Sequence, residues 1–323
     1  MTFVRTVLGD IEPSELGVTY SHEHLVIDGG RAVLLEPDFD LSDVDRMATE
    51  VAAAAALGLR SVVDAMPCDA GRNVEKLAEL SRRTGVRIVA PTGLHHDRFY
   101  GPSHWSRHVS VEELAGLFVA DIAVGIDALD YGGPVIRRTE YCAGVIKVAG
   151  STGGPSTRDR AVFEAAAAAH RSTGAPFLTH CEGGTGALEQ VRLLVDHGVD
   201  ARYVVLSHVD KIVDREYHRE LLSTGAFAEY DGSFRWGDRP NGTLQLLQWM
   251  AEDDLIDQVT LGMDAARQGY YAVYGGSPGL GWLLDGFSAA MDQVGLHAAA
   301  RRRLFVTNPA RAFAFRVDHG GVG

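Results

Sequence analysis

Short apolar runs punctuate the chain at regular intervals, and each is followed by a longer stretch with helical spacing. The runs cover residues 17–24, 60–65, 86–94, 144–149, 175–180, 203–208, 226–231 and 258–264. They are near-continuous in Val, Ile, Leu and Ala instead of alternating, which suits parallel strands covered on both faces. Residues 42–57, 73–84, 157–173, 185–197, 214–223 and 243–253 carry helix signals, several with a cap residue in front and Gly or Pro behind. Two further helical stretches, 280–294 and 298–315, follow the eighth run. Alanine tracts at 52–56 and 165–169 combine high helix propensity with little bulk, so helices can lie close on a sheet.

Eight strands alternating with helices predict the α/β class and a (β/α)8 TIM barrel, with residues 1–323 forming one domain. A doubly wound open sheet would place a Gly-rich phosphate turn after an early strand. Here the first run ends in His-Glu-His instead. The longest insertions, 101–110 after the third strand and 267–279 after the eighth, fall on the loops where barrel enzymes build their substrate mouth.

Composition narrows the partners. The chain of 323 residues is 46% apolar, enough for a core that needs no disulfide or metal to hold it. With 43 acidic against 30 basic residues the net charge is −13, so nucleic acid and anionic membrane are poor partners and a small-molecule substrate is expected. No run of 18 apolar residues spans a bilayer. Residues 1–13 carry acids and a proline where a signal peptide needs a basic and then an apolar stretch. Cys68, Cys142 and Cys181 are widely spaced, with no Cys-x-x-Cys, which suits the cytoplasm. Among the 30 basic residues only Lys76, Lys147 and Lys211 are lysines. A lysine in the middle of an apolar run therefore asks for a chemical reason.

The chemistry gathers at the carboxyl ends of the predicted strands. Strand one ends in His22 and His24, strand four carries Lys147, strand five ends in His180, strand six in His208 and strand eight in Asp264. Strand neighbours two apart share a side, so His22 and His24 point together into the barrel. Imidazole and carboxylate suit zinc, manganese or cobalt, and the lack of cysteine ligands favours a catalytic over a structural site. Each residue alone has a plainer explanation: a satisfied polar group, a helix cap for Asp264, a snorkelling stem for Lys147. Repetition at five strand ends of eight makes the plain explanation improbable.

Lys147 needs its own account. A buried ammonium beside a dication is repelled and tends to lose its proton. The neutral amine can add carbon dioxide, releasing a proton, to become a carbamate with two anionic oxygens. Four histidines, one aspartate and a carboxylated Lys147 then suffice for two divalent metal ions about 3.5–4 Å apart, with zinc expected first and manganese or cobalt as alternatives.

Several motifs resemble the phosphotriesterase family of the amidohydrolase superfamily: His-x-His on strand one, Val-Ile-Lys-Val on strand four, then Thr-His, Leu-Ser-His and Gly-Met-Asp. The resemblance runs from TVLGDIEPSELGVTYSHEH to LFVTNPARAFAF, nearly the whole chain. It implies that His22, His24 and Asp264 with Lys147 hold a buried metal, that His180 and His208 with Lys147 hold a more exposed one, and that the protein is a homodimer. After strand seven the chain reads Tyr230-Asp231-Gly232-Ser233, without the histidine that triesterases place near there for proton shuttling. The stretch from Asp264 through Arg267 and Tyr270 to Leu280 looks more like the sugar-lactonase branch.

The function this implies is opening of a lactone ring, that of a sugar acid or a phosphorylated sugar. Organophosphate triesterase and acyl-homoserine lactonase are alternatives within the family, and a non-catalytic metal-binding barrel is the alternative outside catalysis. Asp264 would take the proton of the attacking water and return it to the leaving alkoxide. Arg267 and Tyr270 would grip an anionic or hydroxyl-rich substrate, joined by Lys211 and Arg235. A surface or dimer-interface role is the alternative for these four. His95 or His96 and Tyr100 would line the ring pocket, or only pack their loop. Asp64 would orient a ligand, or hydrogen-bond to the barrel.

Overall fold

Strands and helices alternate around a closed ring in the computed structural model, which describes residues 2–316. A hairpin of β1 (Thr2–Thr6) and β2 (Gly9–Ile11) leads into β3 (Thr19–Glu23), α1 (Gly30–Leu35) and α2 (Val44–Ala56). The units β4 (Ser61–Asp64) with α3 (Val74–Thr84), and β5 (Arg87–Val89) and β6 (Pro91–Gly93) with α4 (Val111–Ala123), come next. They are followed by β7 (Val145–Gly150) with α5 (Thr157–Thr173), β8 (Phe177–Cys181) with α6 (Ala187–Asp196), and β9 (Val204–Ser207) with α7 (Arg215–Ser223). The last units are β10 (Phe227–Tyr230) with α8 (Gly242–Glu252) and β11 (Val259–Leu261) with α9 (Gly286–Gln293). Then come α10 (Ala298–Arg302), α11 (Asn308–Ala312) and β12 (Phe315–Arg316).

All barrel pairings are parallel, in the order β3-β4-β5 and β6-β7-β8-β9-β10-β11. One predicted strand, 86–94, supplies both β5 and β6, interrupted at Ala90, and so joins the two sets. The ring closes between the first and last strands. Asp264 N–H donates to His22 O at 3.0 Å, while the Glu23 carboxylate accepts from the N–H groups of Met263 (2.7 Å) and Ala265 (3.3 Å). Gly262 permits this approach, because a Cβ there would stand 2.7 Å from His22 O.

Two apolar zones result. Val63, Val89, Val145, Leu178, Val205 and Phe227 fill the lower interior, plugged from below by Val4, Leu16 and Phe313. A larger zone lies between strands and helices, with Ile146, Val148 and Phe163 within it. The upper interior is polar by the same alternation: Lys147, His180, Ser207 and Glu229 each stand two residues beyond an interior apolar residue, and all are buried.

Three differences from the predicted elements have physical causes. Helix α4 was absent from the pattern, yet Ser110 and Glu113 form a reciprocal cap and Leu114, Phe118 and Ile122 make one buried stripe. Residues 280–294 become helical only from Gly286, after a glycine-interrupted turn. Residues 298–315 are helical only as far as Ala312, in one run that contains a π-helical turn. The π-helical turn at Arg303–Thr307 comes just ahead of Pro309, which has no N–H to donate, and after Ala312 the chain bends to plug the barrel and pair β12 antiparallel to β1.

Candidate active site

The six candidate ligands lie at the carboxyl end of the barrel. His24 Nε2 stands 3.2 Å and His22 Nε2 3.6 Å from Asp264 Oδ1, and Lys147 Nζ is 3.4 Å from His22 Nε2. His180 Nδ1 faces His208 Nε2 at 2.8 Å. Donors held about 2.0–2.1 Å from one tetrahedral ion stand about 3.3 Å apart, so the spacing of His22, His24 and Asp264 fits a single divalent ion. His24 Nδ1 is buried and makes no hydrogen bond. His208 and Asp264 both have left-handed backbones, at φ 68° and 50°. Non-glycine residues so held cost about 1–3 kcal/mol and concentrate at functional sites.

Local structure explains how the side chains are aimed. The register of β3 against β4 shifts between Tyr20 and Glu23, the stretch that carries His22. His22 Nδ1 lies 2.8 Å from Ser207 Oγ, which fixes the ring across the barrel. Asp64 accepts from the N–H groups of Leu25 (2.8 Å) and Met66 (3.1 Å), so it sets the backbone beside His24 and meets no candidate ligand directly. Gln190 Nε2 donates to His180 O at 3.0 Å. Asp231 Oδ2 stands 2.6 Å from His208 Nδ1 and accepts from the His208 N–H at 3.2 Å.

Burial dominates the electrostatics. It pushes the Lys147 amine down to about 8. It also holds His22 and His180 well below the usual imidazole range, which keeps both neutral. Burial alone would raise the Asp264 carboxyl, but His208, His24, Arg235 and His22 outweigh it and hold Asp264 well below the carboxylate range. Asp231 is likewise held down to about 2, with facing His208 overcoming burial. Neutral imidazoles beside an ionised carboxylate form a donor set for a dication.

Above these groups opens a cavity of about 180 Å3. Phe39, Met66, Phe99 and Ala266 supply apolar wall, and Arg98, Lys211, Arg235 and Arg267 bring positive charge to the mouth. His95 and Tyr270 line it. Tyr100 does not. Its hydroxyl donates to Cys68 O and accepts from the His95 N–H, both at 2.9 Å, because the loop turns Phe99 toward the cavity and Tyr100 away. Arg235 is partly exposed at the cavity mouth and is engaged within the site, its Nη2 lying 3.3 Å from Asp264 Oδ2. Arg267 is paired with Glu36 at 2.7 Å and rests on the Phe39 ring, with 4.1 Å between guanidinium carbon and centroid.

Residues 2–313 match the Phosphotriesterase family. The chain belongs to the phosphotriesterase family. It is 33% identical to a phospho-furanose lactonase of Mycoplasmopsis synoviae (strain 53), over 97% of this chain and 92% of that one. The crystal structure of an amidohydrolase from Mycoplasma synoviae superimposes with a TM-score of 0.95 at 32% identity, covering 98% of this chain and 93% of that one. A lactonase from Listeria monocytogenes gives 0.89 at 29% identity, with 97% and 99% covered.

Four residues of this phosphotriesterase-family site escaped the sequence reasoning: Glu182, Arg98, Asp231 and Glu229. Glu182 follows ligand candidate His180 by two, and Asp231, just past the end of β10, follows inward-facing Glu229 by two, so spacing alone carried a usable signal for three of them. Arg98 carried none, since its approach to the mouth depends on a loop without periodicity.

Proposed function

We propose that the protein is a metal-dependent lactonase that opens the ring of a phosphorylated sugar lactone. The whole chain is read as one catalytic domain, working as a homodimer in the cytoplasm. One observation carries the assignment: six donor side chains from five strand ends lie in a chain of short contacts beneath a mouth lined by Arg98, Lys211, Arg235 and Arg267. Likeness to a phospho-furanose lactonase supports the substrate class. The homodimer follows from family resemblance alone. Three unpaired cysteines support a reducing compartment, and no helix among the described residues is long and apolar enough to cross a membrane.

Two divalent ions, zinc by preference, would be held by His22, His24 and Asp264 and by His180 and His208, with carboxylated Lys147 shared, and would lower the pKa of water and polarise the lactone carbonyl. The amine of Lys147 is suited to that conversion, because burial brings it down to about 8 and leaves a neutral fraction to add carbon dioxide. Asp264, kept ionised, accepts the proton of the attacking water and returns it to the ring oxygen as the acyl–oxygen bond breaks. One water is consumed and one hydroxy acid formed. Arg235 holds the Asp264 carboxylate in place. Phe39, Met66, Phe99 and His95 exclude water around the ring, while Arg267, Tyr270 and Lys211 bind the anionic substituent.

A pH-indicator screen tests this. Phosphorylated and unphosphorylated sugar lactones, acyl-homoserine lactones and paraoxon would be offered to metal-replete and chelator-treated enzyme. Acid release is expected from phosphorylated sugar lactones and should stop on chelation. Turnover of paraoxon with every lactone untouched would overturn the assignment.

A further inference from the structure

We propose that Glu182 is a positioning residue that fixes the ring of His180, and through it tunes one of the two metal positions. This rests on the metal-dependent lactonase assignment above.

Strand β8 ends at Cys181, and Glu182–Gly184 form a single tight turn. Gly183 and Gly184 are both left-handed, at φ 63° and 79°. The turn presses on the neighbouring strand end so closely that a Cβ at Gly184 would stand 2.9 Å from His208 O. This geometry folds Glu182 back over His180. Its Oε2 lies 2.7 Å from His180 Nε2 and 3.2 Å from His96 Nε2.

The consequence is a choice of tautomer. A carboxylate oxygen accepts, so at 2.7 Å the hydrogen of neutral His180 belongs on Nε2 and Nδ1 is left with its lone pair. On the facing ring, Asp231 lies 2.6 Å from His208 Nδ1 but off the line of its N–H, so that nitrogen makes no hydrogen bond and His208 Nε2 is left to carry the hydrogen. His180 Nδ1 and His208 Nε2 are 2.8 Å apart. At that distance the two nitrogens hydrogen-bond, His208 Nε2–H donating to the His180 Nδ1 lone pair, the same lone pair a cation would take. Glu182, on the far side of the ring, thus keeps the His180 Nδ1 lone pair turned toward the position a cation would take. Without Glu182, His180 is free to take the other tautomer. Its Nδ1 would then carry the hydrogen and offer no lone pair to a metal ion.

The test is a titration of metal-free wild type, E182A and E182Q with zinc against a competing chelator, with elemental analysis and thermal melts of the same samples. Wild type is expected to bind two ions. E182A should bind one of them about 10–100-fold more weakly, keep its affinity for the other, and recover kcat when zinc is raised. E182Q keeps an acceptor without the charge and should fall between the two, so it carries the test if E182A does not fold. The metal-free melting temperature should not move. Wild-type affinity for both ions in either variant, parallel loss of both ions, or a lowered metal-free melt with no recovery in excess zinc overturns the proposal. Failure of the lactonase assignment would appear separately, in a wild type that binds no metal or opens no lactone.

Discussion

One guanidinium grips both ends of Asp264: Arg235 Nη2 stands 3.3 Å from the carboxylate Oδ2 and donates to the Asp264 carbonyl oxygen at 2.5 Å. The second arm of Arg235 donates to Asp231 O at 2.6 Å. Its guanidinium carbon lies 4.5 Å from the Phe234 ring centroid and 5.4 Å from that of Tyr270. The residue that would receive the proton is therefore braced by a cation with no proton to exchange near neutrality. A triesterase-type histidine in this region would instead titrate.

Replacing Arg235 by Met should lower kcat about 10–100-fold, the loss of a hydrogen bond to a charged group, with the fold retained. Steady-state rates on a neutral and a phosphorylated lactone check this. Equal falls on both substrates identify a brace for Asp264, whereas a loss confined to the phosphorylated lactone, in KM, would make Arg235 a substrate-binding group.

D264N should remove the proton acceptor while keeping the shape of the site. A fall in kcat of about 10²–10⁴-fold is expected, with an unchanged circular dichroism spectrum. Turnover near that of the parent would take Asp264 out of proton transfer.

Lys147 supplies a pH dependence with a definite sign. In the metal-free protein burial lowers the amine to about 8, so the ammonium dominates below that pH and the neutral, carbon dioxide-accepting form above it. The rate at which metal-free enzyme regains activity in zinc plus bicarbonate should rise as pH increases through about 8. K147A should bind metal poorly and recover in part with a short carboxylic acid. A flat rate profile, or two tightly bound ions in K147A without the acid, argues against a carbamate.

The strand ends were legible because each interior strand writes its chemistry in two steps. Val145 and Lys147, Leu178 and His180, show an apolar side chain followed two residues later by a polar one on the same face. Carboxylates that act on those histidines were harder to see. Asp231 and Glu182 look in sequence like any acid beside a strand, and only the approach of separate strands reveals their partners. Tyr100 takes the second of its two expected roles and packs its loop, since an aromatic on a mouth loop turns inward or outward with the local turn, and here Phe99 takes the wall. Helix α4 lies between a polar insertion and a connector tied down by buried Asp121. That acid accepts from Arg72 (3.0 Å) and Thr92 (2.9 Å), contacts that no periodicity encodes.

Specificity for an anionic substituent should show in Arg267. Its guanidinium is shared by two exposed acids, Glu36 at 2.7 Å and Asp38 at 3.7 Å, which compete with a substrate phosphate for the same donors. R267A should raise KM for a phosphorylated lactone about 10–100-fold and leave a neutral one little changed, while E36Q with D38N should lower KM for the phosphorylated substrate. Matching KM changes on neutral lactones would contradict this role.

Gly262 links ring closure to chemistry. A Cβ there would stand 2.7 Å from His22 O, 2.8 Å from His22 N and 2.7 Å from Glu229 Oε1, so two of the three obstacles are backbone and cannot swing aside. G262A should therefore destabilise the fold by about 1–3 kcal/mol, in the range of an overpacked interior. His22 and Asp264 flank the same seam, so any widening that accommodates the methyl also parts two candidate ligands, and metal content should fall with stability. Gly116 offers the control: it lies inside helix α4 with nothing near its virtual Cβ, and G116A should be neutral or more stable by up to about 1 kcal/mol. Urea unfolding midpoints and metal analysis of the two variants separate the cases. A G262A protein that unfolds with G116A and keeps both ions would mean that the first and last strands do not meet as closely as the hydrogen bond from Asp264 to His22 requires.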